Sequence, residues 1–111
     1  NQVKELVELQ DQINTYNKDL RTVKLRLSTL QREARVNSVT ANHIQTLDDT
    51  TPMYRSVGKT FILTPKASVE DRIEKEIAEN TKTQRDLTDR QEYLERRIQS
   101  TSQNIQDIYA Q

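Results

Sequence analysis

Leu6, Leu9, Ile13, Tyr16, Leu20, Val23, Leu27, Leu30 and Ala34 follow one another at alternating steps of three and four residues. That is a heptad seam, with Leu6, Ile13, Leu20, Leu27 and Ala34 at a and Leu9, Tyr16, Val23 and Leu30 at d. Neither Gly nor Pro interrupts the first forty residues, so the pattern predicts one helix of roughly 55–60 Å at about 1.5 Å per residue. An apolar stripe this narrow does not stabilise a lone helix; it needs a partner. The pattern resumes at Ile73 and runs through Ile77, Leu87, Leu94, Ile98, Ile105 and Ile108, with Asn80, Gln84, Gln91 and Thr101 in the remaining seam slots.

If the chain reverses between the two helices, facing positions sum to about 111. That register sets Leu6 by Ile105, Leu9 by Thr101, Ile13 by Ile98 and Tyr16 by Leu94. It continues with Leu20 by Gln91, Val23 by Leu87, Leu27 by Gln84 and Leu30 by Asn80. Every polar slot then faces an apolar residue of the first helix. The fold class is mainly α: a long antiparallel two-helix coiled coil whose connection carries one β-hairpin. Acid-first pairs at (i, i+4), such as Asp71–Lys75, Asp86–Arg90 and Glu92–Arg96, add a few tenths of a kcal/mol each.

Between the helices the period changes. Thr50-Thr51-Pro52 breaks helix, and Met53 to Leu63 is rich in strand formers. Gly58-Lys59 suits a two-residue turn with Gly first, the type II′ preference. Met53–Val57 and Thr60–Leu63 are therefore expected to pair as a hairpin. Thr64 and Pro65 are expected as N-cap and first residue of the second helix, and Thr40 as the cap of a short helical turn over Thr40–Leu47. One domain is expected over residues 1–111: helix one over about 1–47, hairpin over about 52–63 and helix two over about 65–110. Phe61-Ile62-Leu63 is apolar at three consecutive positions, so both faces of that strand call for burial. A two-stranded hairpin alone is marginal in water and exposes unpaired edges. Pairing with hairpins of other chains is the economical remedy.

Composition narrows the function. The chain of 111 residues is 32% hydrophobic and 31% charged, with no Cys or Trp, one Gly and one His. A typical domain is about 45–50% apolar, so a seam is affordable and a thick core is not. The 17 basic and 17 acidic residues cancel, which argues against a nucleic-acid partner. Arg32, Arg35, Arg96 and Arg97 are solvated faces on this reading. No run approaches the roughly 18 apolar residues of a membrane span, and the start carries no signal-peptide pattern. Residues are expected to precede Asn1, which is not an initiator Met. Without Cys there is no thiol catalysis or Cys-based metal site, and the composition fits a reducing compartment. His43 is expected at a surface or helix end, since a metal site needs several ligands. The carboxylates sit in ion-pair patterns with no apolar pocket to tune one for acid–base work. One Gly cannot build a phosphate-binding loop. No enzyme, cofactor or metal is expected.

The hairpin sequence, Met53-Tyr54, Val57-Gly58 and Phe61-Ile62-Leu63, preceded by Asp48-Asp49 and followed far downstream by Tyr93-Leu94-Glu95-Arg96, resembles the β-class subunits of the prefoldin family. The resemblance in architecture covers the whole chain. It implies a heterohexamer of two α-class and four β-class subunits, so that this chain would join two α-class and three further β-class subunits. Their hairpins would form a β-barrel body from which coiled coils hang, with Met53, Tyr54, Val57, Gly58, Phe61, Ile62 and Leu63 as the assembly residues. It also implies ATP-independent capture of non-native polypeptides, actin and tubulin among them, and their delivery to the cytosolic chaperonin. The compartment implied is the cytoplasm, with a nuclear pool as a further option. By position, the substrate-binding tip would be Val3, Leu6, Val7, Leu9, Ile105, Ile108 and Tyr109.

Two groups of residues admit a blander reading. Val3, Val7 and Tyr109 lie off the a/d seam and are either an adhesive tip or stray apolar residues on frayed ends. Asn80, Gln84, Gln91 and Thr101 could set the register or loosen the pair; a solvated seam edge is the favoured reading. A different class of function, a coiled-coil adaptor in a prefoldin-like assembly that binds folded partners, is the alternative to a chaperone.

Overall fold

The computed structural model describes residues 1–111. Four elements follow in order: α1 (Gln2–Gln45), β1 (Tyr54–Val57), β2 (Thr60–Leu63) and α2 (Lys66–Tyr109). Packing divides the chain into two units, one of Asn1–Thr29 with Gln84–Gln111 and one of Leu30–Thr83.

In the first unit the two helices run antiparallel. Val23, Leu27 and Leu94 form a buried cluster, and Tyr16, Leu20 and Leu87 pack against it. Leu94 is 0% exposed, the tightest point of the core. These are the d and a positions that the register brings together, Tyr16 beside Leu94 and Val23 beside Leu87. Each such leucine contributes about 1.5–3 kcal/mol by leaving water. The Arg97 guanidinium donates to the Tyr16 hydroxyl through Nε and Nη2, at 3.4 and 3.3 Å, and Gln2 Nε2 donates to Gln111 Oε1 at 3.4 Å. Asn1 caps α1: its Oδ1 accepts from the amides of Val3 and Lys4 at 2.8 and 3.3 Å, which satisfies two of the orphan donors of the first turn.

In the second unit Leu30, Ile44 and Ile73 are buried. Asn80 is buried too, and its Nδ2 donates to the Leu30 carbonyl at 3.0 Å. That bond joins the two residues the register pairs. The solvated-edge reading therefore fails for Asn80, and also for Thr101 in the first unit, which is 2% exposed. Gln84 and Gln91 are only half-buried, and Gln91 Nε2 donates along its own helix to Glu95 Oε1 at 3.0 Å. A short side chain such as Asn or Thr fits inside the seam, whereas a Gln amide reaches its rim.

Three local expectations are corrected. Thr40 caps nothing: α1 runs unbroken to Gln45, and the Thr40 hydroxyl donates back to the Val36 carbonyl at 2.8 Å. A Thr inside a helix has this option as well as the cap. The helix instead tightens at its end, with Thr46 and Leu47 amides bonding three residues back to His43 and Ile44. At α2 the expected start lies one residue later. The Pro65 carbonyl accepts from Ser68 and Val69 and helix begins at Lys66, while the Thr64 hydroxyl donates to the Ile62 carbonyl. Thr64 is held by the hairpin, its amide bonding the Met53 carbonyl at 2.8 Å.

Candidate interaction surfaces

The hairpin pairs Tyr54 with Leu63, Arg55 with Ile62, Ser56 with Phe61 and Val57 with Thr60. Its loop is the two residues Gly58 and Lys59, with φ +62° at Gly58 and positive φ at no other residue of the chain. Positive φ at the first loop position alone marks type II′ and requires Gly there. Alternation puts Tyr54, Ser56, Phe61 and Leu63 on one face and Arg55, Val57, Thr60 and Ile62 on the other. All eight strand residues are exposed; Phe61 reaches 73%. Of the residues expected for assembly, Met53 alone is half-buried.

Side chains flanking the hairpin hold its base. Lys66 Nζ, with 14% of its side chain exposed, donates to the Leu47 carbonyl at 2.9 Å and pairs with Asp49 Oδ1 at 3.2 Å and Glu70 Oε1 at 3.6 Å. Asp48 turns the chain between them, accepting from the Thr50 amide at 3.0 Å. That amide, then the Thr50 hydroxyl and the Lys66 charge, hold the Asp48 carboxyl below its ordinary value.

The expected tip residues fall into two sets, all in the first unit. Leu6, Leu9, Ile105 and Ile108 are half-buried in the seam. Val3, Val7 and Tyr109 stand out from it, with Val3 at 70% and Tyr109 at 75% exposure. The Gln2–Gln111 hydrogen bond keeps the two chain ends side by side, so both sets belong to one patch.

Sequence reasoning missed the Lys66 clamp, the Asn1 cap and the arginine–tyrosine contacts. Arg97 lies over the Tyr16 ring at 5.7 Å and Arg90 over the Tyr93 ring at 5.2 Å. The Tyr16 hydroxyl, by its hydrogen bond first and its charge second, raises the Arg97 pKa. Helical steps of three and four in Arg90, Tyr93 and Arg97 could have flagged the Arg90–Tyr93 contact, whereas nothing in the spacing signals Arg97 on Tyr16 of the other helix. His43 is exposed in the last turn of α1. No group of three His, Cys, Asp or Glu side chains is gathered as for a metal ion, and no helix is long and apolar enough to cross a membrane.

Two long helices, antiparallel through a packed seam, with an exposed two-stranded hairpin in their connection, define the class of helical-hairpin proteins that carry a β-hairpin at the reversal. The sequence profile described as prefoldin subunit matches residues 7–111. The chain belongs to the prefoldin subunit family, whose members are chaperone subunits. It is similar to prefoldin subunit 1 of Homo sapiens, 28% identical over 106 residues, covering 95% of this chain and 86% of the relative. It is also similar to a probable prefoldin subunit 1 of Dictyostelium discoideum, 20% identical over 101 residues, covering 91% of this chain and 88% of the relative. The fold matches the crystal structure of the prefoldin beta subunit from Thermococcus strain KS-1 with a TM-score of 0.83 at 18% identity, over 93% of this chain and 90% of that one.

Proposed function

We propose that this chain is a β-class subunit of a heterohexameric prefoldin co-chaperone that binds unfolded proteins without ATP and passes them to the cytosolic chaperonin. The observation that carries the reading is the hairpin. Eight strand residues are exposed together, five of them apolar or aromatic, on an element that is marginal by itself. Hairpins of two α-class and three further β-class subunits are the covering this reading supplies, in a shared β-barrel body. The similarity to relatives named prefoldin subunit 1 supports the β-class assignment. Work in the cytoplasm on actin- and tubulin-class clients follows from the same reading.

Capture is assigned to Val3, Val7 and Tyr109 with the seam residues Leu6, Leu9, Ile105 and Ile108 beneath them. Exposed apolar groups at one patch attract the exposed apolar segments of a non-native chain, and several arms acting together turn weak contacts into firm holding. Deleting residues 1–9 with 104–111 tests this. The trimmed chain is expected to enter a complex of normal subunit composition that suppresses client aggregation less well at matched concentration. Full suppression at the lowest complex concentration tested would move capture away from the tip. Stoichiometric recovery of one folded partner, with no suppression by the wild-type complex, would replace the chaperone with an adaptor.

A further inference from the structure

Arg90, Tyr93 and Arg97 recur at steps of three and four along α2, so they form one stripe beside the seam. The stripe continues onto α1 through Tyr16, under Arg97. Both guanidiniums are exposed yet placed: Arg90 lies over the Tyr93 ring at 5.2 Å, and Arg97 is held 5.7 Å from the centre of the Tyr16 ring by its two bonds to the hydroxyl. Contacts of these kinds hold the planar fork in position before any ligand arrives. Neither guanidinium is paired with a carboxylate: the expected Asp86–Arg90 pair does not form, nor do Asp71–Lys75 and Glu92–Arg96, and the chain's ion pairs lie at Lys66 and Arg72. The nearby Glu95 is engaged by Gln91 instead. Arg97 uses two donors on the Tyr16 hydroxyl, out of five on a guanidinium.

We propose that this arginine–tyrosine ladder is a docking surface for an acidic, extended protein segment, with one carboxylate taken by Arg90, another by Arg97, and an apolar or aromatic side chain between them on Tyr93. Spacing selects the extended form. On an extended chain side chains alternate between faces, so carboxylates four residues apart share one face at about 13 Å, with the side chain midway between them on that same face. The two long arginine side chains reach this span from Cα atoms about 10 Å apart along the helix. A carboxylate takes two parallel bonds from a guanidinium, which favours it over a neutral amide. Tyr and Arg are also the side chains that most often carry interface energy. This surface is separate from the tip and holds whether or not the tip captures clients.

The probe is a fluorescein-labelled twelve-residue peptide of three Glu-Ser-Phe-Ser repeats, titrated with the full chain by anisotropy. The wild type is expected to bind it in a salt-sensitive manner. Arg90→Gln, which leaves Tyr16 and the seam untouched, is expected to weaken binding about tenfold, the worth of one charge-assisted hydrogen bond. Arg90→Gln with Arg97→Gln is expected to weaken it about a hundredfold by the same measure. Arg97→Lys keeps the charge and loses the fork, so it should lose affinity several-fold. Replacing Val3, Val7 and Tyr109 by Ser should leave the affinity unchanged, which separates this site from the tip. Undiminished binding by the Arg90→Gln chain would overturn the proposal. So would tighter binding of the Lys-Ser-Phe-Ser counterpart, or preference for an oligouridylate over the acidic peptide.

Discussion

The coiled-coil seam and the hairpin use the same kinds of residue to opposite ends. In the seam, Val23, Leu27 and Leu94 are buried within the chain. In the hairpin, Phe61, Ile62 and Leu63 are exposed, all above half. The difference is not hydrophobicity but the supply of a complementary surface. Each helix meets a second apolar stripe a chain reversal away, whereas a two-stranded sheet has two faces and no second layer. The seam is thus complete in one chain, and the hairpin is the part that calls for others.

The largest test of that contrast pairs two substitutions. Phe61→Asp should abolish incorporation into the complex, followed by native mass after mixing with an α-class partner, while circular dichroism shows the helices intact. Leu94→Ala should do the reverse. It should cost about 2–5 kcal/mol of stability, seen as a large drop in melting temperature, with the hairpin's pairing capacity kept. Equal damage to both properties by either change would dissolve the division between seam and hairpin.

Next in size are the polar seam slots. Asn80→Ala should cost about 1–3 kcal/mol, because it removes the buried hydrogen bond to Leu30. Gln91→Leu should raise the melting temperature, since that half-buried side chain spends its amide on Glu95 of its own helix and a leucine would extend the apolar seam opposite Leu20. The gain is expected near 1 kcal/mol. An unchanged or lower melting temperature would mean that position 91 lies in solvent or that the register differs from the one given by Asn80 and Leu30.

These two slots also mark how far the sequence could be followed. The seam period, the reversal register and the Gly58 turn were all legible, because each rests on a strong local rule: apolar spacing, a fixed sum of facing positions, and a φ that only Gly adopts cheaply. Which polar slots are buried was not legible, since Asn and Gln differ there only in reach. Thr40 and Thr64 were misplaced for a related reason. A threonine hydroxyl bonds equally well forward as a cap or back to a carbonyl, and the surrounding chain decides. The Lys66 clamp joins residues 17 and 19 apart, and the Arg97–Tyr16 contact residues 81 apart. Long charged side chains leave no periodic trace. Of the surfaces, the hairpin announced itself by three consecutive apolar residues, whereas the tip showed only a surplus beyond the seam.

The smallest test concerns acid. Asp48 titrates below its ordinary value in the folded chain. Its contribution to stability is therefore complete above the unfolded value of about 3.9 and is lost as the pH falls through the folded value. Asp48→Asn should lower the melting temperature slightly at pH 7 and by less at pH 2.5, so that the gap between the two pH values narrows. A gap of unchanged width would show that the Thr50 bonds contribute nothing to folding.

The two-residue turn at Gly58 has a kinetic consequence. It joins strands whose paired residues lie between three and nine positions apart, so the ladder closes without waiting for the long helices to find their register. Hairpins of this kind form in about 1–10 μs. An unassembled chain would then open and close its ladder many times between encounters, so a partner would capture a hairpin that had formed beforehand rather than share one folding reaction with it. The speed of capture would scale with the product of the two chains' concentrations. A substitution that gives position 58 a side chain would slow that step even where the finished complex is equally firm.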